Sequence, residues 1–251
     1  MVDAGGHRLN MLVAGRGGPT VVFESGLGDT LEPWSKVLNG VSEFSQVVAY
    51  DRAGLGKSEP GPEPRTAKRI AAELRAALKS AGIGPPFVLV SHSAGGLYAR
   101  VFANTYPDEV AGMVFVDSTP EDFFERLKAI QSPREQEKFE ERKRDYAANA
   151  HEGRRAEWAS LDIALTQARA AVPLPTVPVV LLTGMADEPD KTPEAKQLWL
   201  DLHNEWLSTI PHADHVITKK SGHYIQVEEP ELVVGAVRQV IGNVRGKSRR
   251  P

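Results

Sequence analysis

Residues 88–100 read VLVSHSAGGLYAR, and the parsing of this stretch decides the fold. Val88, Leu89 and Val90 form an unbroken apolar run, the pattern of a strand buried on both faces. From Leu97 onward the spacing becomes helical. Between them lies a knot of small residues, with Ser93 at the corner and Ala94, Gly95 and Gly96 after it. Side chains two residues either side of a residue held in such a sharp turn would collide with the turn. Ser91 and Gly95 are both small enough to avoid this. The corner therefore reads as a strand-to-helix turn that presents Ser93, with an ordinary polar joint as the competing explanation.

Working outward, the same alternation recurs. Residues 18–26 (GPTVVFESG) and 46–54 (QVVAYDRAG) each read as a buried strand ending in a glycine turn. Residues 64–82 place Ile70, Leu74, Ala77 and Leu78 at helical spacing and stop near Gly82. A strand over 85–91, a helix over 94–107 and a strand over 110–118 follow. Continuous apolar strands alternating with helices predict parallel βαβ units, an α/β sheet with helices on both faces. From Pro120 to about Ala171 the text is helical and highly charged, with no strand candidate. The pattern then resumes with strands over 176–184 and 213–222 and helices over 192–210 and 229–241. This organisation predicts a core of residues 1–119 and 173–251, with residues 120–172 inserted as a helical cap over the sheet's C-terminal edge, where open α/β sheets bind ligands.

The bulk composition narrows the classes. Hydrophobic residues at 41% and charged residues at 25% over 251 residues describe an ordinary globular chain. A formal charge of −3 gives no electrostatic case for nucleic acid or an anionic membrane as partner. The absence of cysteine removes disulfides, thiolate metal sites and thiol nucleophiles. No apolar run is long enough for a bilayer span, and the N-terminus has no signal-like core. A cytoplasmic location is the default expectation, and the basic C-terminal RGKSRRP reads as a solvated tail. Residues 51–58 (DRAGLGKS) end like a phosphate loop, but Asp51 stands where glycine is needed and a proline-rich stretch follows.

A nucleophilic serine needs a base, and the base needs a carboxylate. His223, in the loop after the last predicted strand, can reach over the sheet edge. His92 adjoins Ser93, so its side chain points elsewhere. His212 and His215 lack a third metal ligand and are expected to be structural or exposed. Asp187, after a strand and a glycine turn, is the favoured acid. Glu188 and Asp117 compete with it, and Asp117 also suits a turn-forming role. A developing oxyanion needs two N–H donors. Ala94, opening the helix, is one candidate, and Leu27, in the glycine turn ESGLGD, is the other.

Together these segments resemble the α/β-hydrolase family from near Gly18 to Val244. VSHSAGG is similar to its nucleophile elbow, ESGLG to its oxyanion turn, and YDRAGLGKS to its next glycine turn. TGMAD is similar to its acid turn and SGHYIQVEEPE to its histidine loop. Ser91 replaces the commoner glycine, and Ser25 stands where many members carry histidine. The resemblance implies a serine hydrolase, a carboxylesterase acting on small or medium-chain esters through Ser93, His223 and Asp187, with no metal or organic cofactor. C–C hydrolase, lactonase and perhydrolase chemistry, or a slow hydrolase acting as a small-ligand receptor, remain alternatives on the same residues. Serine in place of aspartate argues against dehalogenase and epoxide hydrolase chemistry. The cap offers Phe123, Phe124, Leu127, Trp158 and Leu161 as acyl-pocket residues, with helix–helix packing as the competing use of each.

Overall fold

The fold is that of a computed structural model, described over residues 1–188 and 191–247. The end of the basic tail, residues 248–251, lies outside the described residues. Two short strands, β1 (Val2–Asp3) and β2 (Arg8–Leu9), pair with each other ahead of the main sheet. The sheet then builds from β3 (Met11–Ala14), β4 (Thr20–Glu24), helix α1 (Ser35–Ser42), β5 (Val47–Tyr50), α2 (Ala67–Ser80), β6 (Phe87–His92), α3 (Gly95–Thr105) and β7 (Val110–Val116). Four helices follow: α4 (Phe123–Ile130), α5 (Pro133–Asn149), α6 (Glu152–Ala159) and α7 (Leu161–Arg169). The chain finishes with β8 (Val179–Gly184), α8 (Pro193–Leu207), β9 (Ala213–Thr218), α9 (Ile225–Glu228) and α10 (Pro230–Lys247).

The seven strands lie in the order β3-β5-β4-β6-β7-β8-β9. All neighbours are parallel except β3, which pairs antiparallel with β5 along the edge. β3 alternates too weakly to announce itself in the sequence: its residues are half-buried or exposed. Every residue of β4, β5, β6 and β8 is buried, which is why these segments read as continuous apolar runs. One face of the sheet is covered by α2, α3 and α7, the other by α1 and α10. After β4 the chain steps outward to β5 and then returns to the opposite side of β4 as β6. That reversal opens a crevice beyond the C-terminal ends of β4 and β6, the two strands whose following turns carry Leu27 and Ser93.

The helical block between β7 and β8 divides in two. α7 buries Leu161, Ala164, Leu165 and Ala168 and packs against α2 and α3, so it belongs to a helical layer of the core. α5 buries no residue and is held at its start by a capping box, Ser132 with Glu135. α6 is anchored from below by a fully buried ion cluster. Arg52, after β5, lies between Glu24 at the end of β4 (2.7 Å) and Glu157 of α6 (2.6 Å). The expected excursion over 120–172 thus stands over the strand ends only through α4–α6.

Candidate active site

Ser93 has φ +52°, a left-handed conformation that is costly for a non-glycine residue. The fold holds it there from several sides. Its N–H donates to Val116 O (3.3 Å), and its carbonyl accepts from Thr119 N–H (3.0 Å). Two residues on, a Cβ at Gly95 would lie 2.6 Å from the carbonyl oxygens of both Glu24 and Ser25. The first turn of α3 can therefore cross β4 only with glycine at that position.

The side chain so presented meets His223, whose Nε2 lies 2.9 Å from Ser93 Oγ. The other ring nitrogen, Nδ1, lies 2.7 Å from Oδ2 of Asp117. Asp117 directly follows β7, the strand next to β6, and it too has positive φ (+43°), which turns its side chain toward the site. Its Oδ1 accepts from Gly184 N–H and from Trp199 Nε1–H, both at 3.0 Å. Burial pushes the Asp117 carboxyl up, but the bond to His223, electrostatic attraction to the His223 and His203 rings and the Gly184 N–H outweigh it and hold the group below the usual carboxylate range. An ionised Asp117 accepts only, so Nδ1 carries the proton and Nε2 is left to accept from the Ser93 hydroxyl.

The favoured acid, Asp187, is not there. Its side chain is fully exposed and pairs with Lys196 (2.8 Å), and the structure brings it to neither His223 nor Ser93. The loop leaving β8 carries two further residues, Met185 and Ala186, before Asp187 and so clears the sheet edge; Asp117 follows its strand directly. Glu188 touches the histidine loop only through the backbone, its Oε1 accepting from His223 N–H at 3.3 Å. That loop passes so close to β8 that a Cβ on Gly184 would sit 2.0 Å from Gly222 O.

The turn after β4 is clamped as a unit. Arg52 donates to the carbonyls of Ser25 (2.8 Å) and Gly26 (2.6 Å), and Gly28 N–H donates to Glu157 (2.7 Å). Ser25 accepts from Trp34 Nε1–H (3.0 Å) and donates to Thr30 O (2.8 Å), a use that suits its hydroxyl. Among the described residues no hydrogen bond engages the N–H of Leu27 or Ala94, which leaves both free to donate to an external oxygen.

His92 has a supporting position that adjacency in sequence concealed. Its Nε2–H donates to His223 O (2.9 Å), and its ring packs 4.6 Å from that of His223. Complete burial, reinforced by His223, pulls its pKa down to about 3, so the ring is neutral. His215 joins a second support: it bonds Thr183 (2.7 Å), Thr183 bonds His203 (2.7 Å), and His203 donates to Ser118 O beside Asp117 (2.7 Å). His203, Trp199 and His92 carried no spacing signal, because each acts across elements distant in sequence.

Ser93 and His223 open onto a cavity of ≈ 180 Å³ whose walls include Phe123, Phe124, Met185 and Trp199. A second cavity of ≈ 500 Å³ under α5 includes Leu127 and Trp158 and shares Phe123, Lys191 and Ala195 with the first. Leu161, the fifth expected pocket residue, lines neither; its helical face is committed to the core beside α2 and α3.

The sequence pattern of the alpha/beta hydrolase family matches residues 21–236. The chain belongs to that family. It is 31% identical over 226 residues to the uncharacterized protein YqjL of Bacillus subtilis (strain 168), covering 90% of this chain and 85% of that one. Among solved structures it is similar to a haloalkane dehalogenase DbeA loop variant from Bradyrhizobium elkanii (TM-score 0.72, 20% identity, 97% and 95% covered). It is similar also to a thermophilic esterase from Thermogutta terrifontis (TM-score 0.66, 20% identity, 95% and 94% covered). At such identities the structural likeness speaks for the hydrolase fold. Among the described residues, no helix is long and apolar enough to cross a membrane.

Proposed function

We propose that this hydrolase-family chain is a serine carboxylesterase with Ser93 as nucleophile, His223 as general base and acid, and Asp117 as the carboxylate behind it. The observation that carries the reading is the continuous chain Ser93 Oγ–His223 Nε2 (2.9 Å) and His223 Nδ1–Asp117 Oδ2 (2.7 Å) at a strained turn.

Ser93 Oγ attacks the ester carbonyl carbon as His223 Nε2 takes its proton, and the carbonyl π electrons move onto oxygen. The N–H groups of Leu27 and Ala94 stabilise that oxyanion, and Asp117 stabilises the imidazolium. Collapse breaks the bond to the alkoxide, which leaves with the proton from His223. Water, deprotonated by the same ring, then attacks the acyl–Ser93 ester and releases the acid. Losing one oxyanion donor typically costs ~10²–10³ in turnover. A small cavity walled by aromatic and thioether side chains favours short or medium acyl groups, with Phe123 and Phe124 in its wall and α4–α6 as cap.

The test is labelling with a fluorophosphonate and mapping of the adduct by mass spectrometry, alongside a p-nitrophenyl ester series. Labelling at Ser93 with multiple turnover supports the reading, and Ser93→Ala should abolish both. Labelling elsewhere, or none, removes the catalytic assignment. Labelling at Ser93 without turnover favours a receptor or a narrower hydrolase.

A further inference from the structure

Two lysines stand in the wall of the cavity that holds Ser93 and His223, Lys191 and Lys196, and among the described residues no aspartate or glutamate lines it. Lys196 is mostly buried, its side chain 15% exposed, whereas its partner Asp187 lies wholly in water. A partner so placed is screened and weakly held, so the ammonium is available to a better-shielded anion. Lys191 pairs with Glu188 at 2.6 Å and leans over the Trp199 ring, its Nζ 5.8 Å from the centroid. Lys191 also belongs to the larger cavity, whose apolar wall carries Lys138, Arg142 and Lys143 against a single carboxylate, Glu135. The two adjoining cavities thus combine apolar walls with an excess of cationic side chains.

We infer that the natural substrate is an anionic ester, one that carries a carboxylate on an apolar body, with the scissile carbonyl at Ser93 and the carboxylate held by Lys191 and Lys196. The inference rests on the serine-hydrolase reading above and names its substrate class. A neutral acyl chain would fill the same apolar wall but would leave the two ammonium groups with only Glu188 and Asp187 as partners. A carboxylate would gain charge-assisted hydrogen bonds from both ammonium groups.

The experiment compares the p-nitrophenyl monoester of adipic acid with its terminal carboxamide, a neutral near-isostere, at low ionic strength. The carboxylate should show a kcat/KM about tenfold higher or more, the scale of one charge-assisted hydrogen bond. The ratio should fall as salt is added. In K191Q/K196Q the ratio should drop to near one, and because it is taken within one variant, a general loss of activity cancels from it. A wild-type ratio of one or below overturns the inference while leaving the hydrolase intact. If Ser93 labels with fluorophosphonate but neither ester turns over, the inference falls and the nucleophile assignment stands. If nothing labels and nothing turns over, both fall together.

Discussion

Asp117→Asn should nearly abolish turnover, and the hydrogen-bond arithmetic of the site says why. Oδ1 of Asp117 accepts two donors, Gly184 N–H and Trp199 Nε1–H, while Oδ2 faces His223 Nδ1. An asparagine has one oxygen and one NH₂. The two fixed donors claim the oxygen, so the NH₂ must face Nδ1. Nδ1 then has to be the unprotonated nitrogen, which moves the ring proton to Nε2 and points it at Ser93 Oγ. In that tautomer the imidazole cannot take the serine proton. The side chain volume is unchanged and the site remains assembled, so the loss falls on kcat. Comparable replacements in Ser-His-Asp enzymes cost ~10⁴ in rate, about 5 kcal/mol of transition-state stabilisation. The assay is steady-state hydrolysis of p-nitrophenyl butyrate by the wild type, D117N and D187N, with circular dichroism as the check on folding. D187N, altering a side chain in bulk water, should stay within about twofold. A folded D117N retaining more than a tenth of wild-type kcat, or a D187N loss of similar size, would refute the reasoning.

Three other outcomes follow from the same geometry. Glu157→Ala leaves Arg52 with one buried carboxylate and orphans the Gly28 N–H, so it should destabilise the protein by about 3–5 kcal/mol in urea denaturation. Gly95→Ala places a methyl 2.6 Å from two backbone carbonyls, and the turn bearing Leu27 must shift. It should cost about 1–3 kcal/mol of stability and depress kcat as well, measured by denaturation and ester turnover. Acid should weaken the fold through His92, which is neutral when folded down to about pH 3. Unfolded histidine takes a proton below pH ~6.5, so stability is full above that value and is lost as pH falls from there toward 3, by about 2 kcal/mol at pH 5. His92→Gln keeps a donor for His223 O without titrating, and its urea midpoint should depend less steeply on pH over the same window.

The sheet's central strands, the flanking helices and the corner at Ser93 were legible because each is local. A strand buried on both faces must be apolar at every position, and a strained turn admits only small neighbours. His223 was legible for the same reason, as a histidine in a loop that closes over a strand end. The carboxylate that pairs with His223 was not. Asp117 and Asp187 both follow a predicted strand, and both keep the order serine, acid, histidine. Which carboxylate reaches the imidazole depends on β7 lying next to β6 and on where the loop after β8 leaves the sheet, neither of which is written in local spacing. Leu161 misled in the same way: helical spacing shows that a face is apolar, and only packing shows whether α2 and α3 or an acyl group covers it. The clamp of Arg52, Glu24 and Glu157 joins residues from three separate segments of the chain, up to 133 positions apart. Sequence determined the elements, because backbone geometry and burial act over a few residues; tertiary structure decided the partners, because hydrogen bonds and ion pairs are made in space.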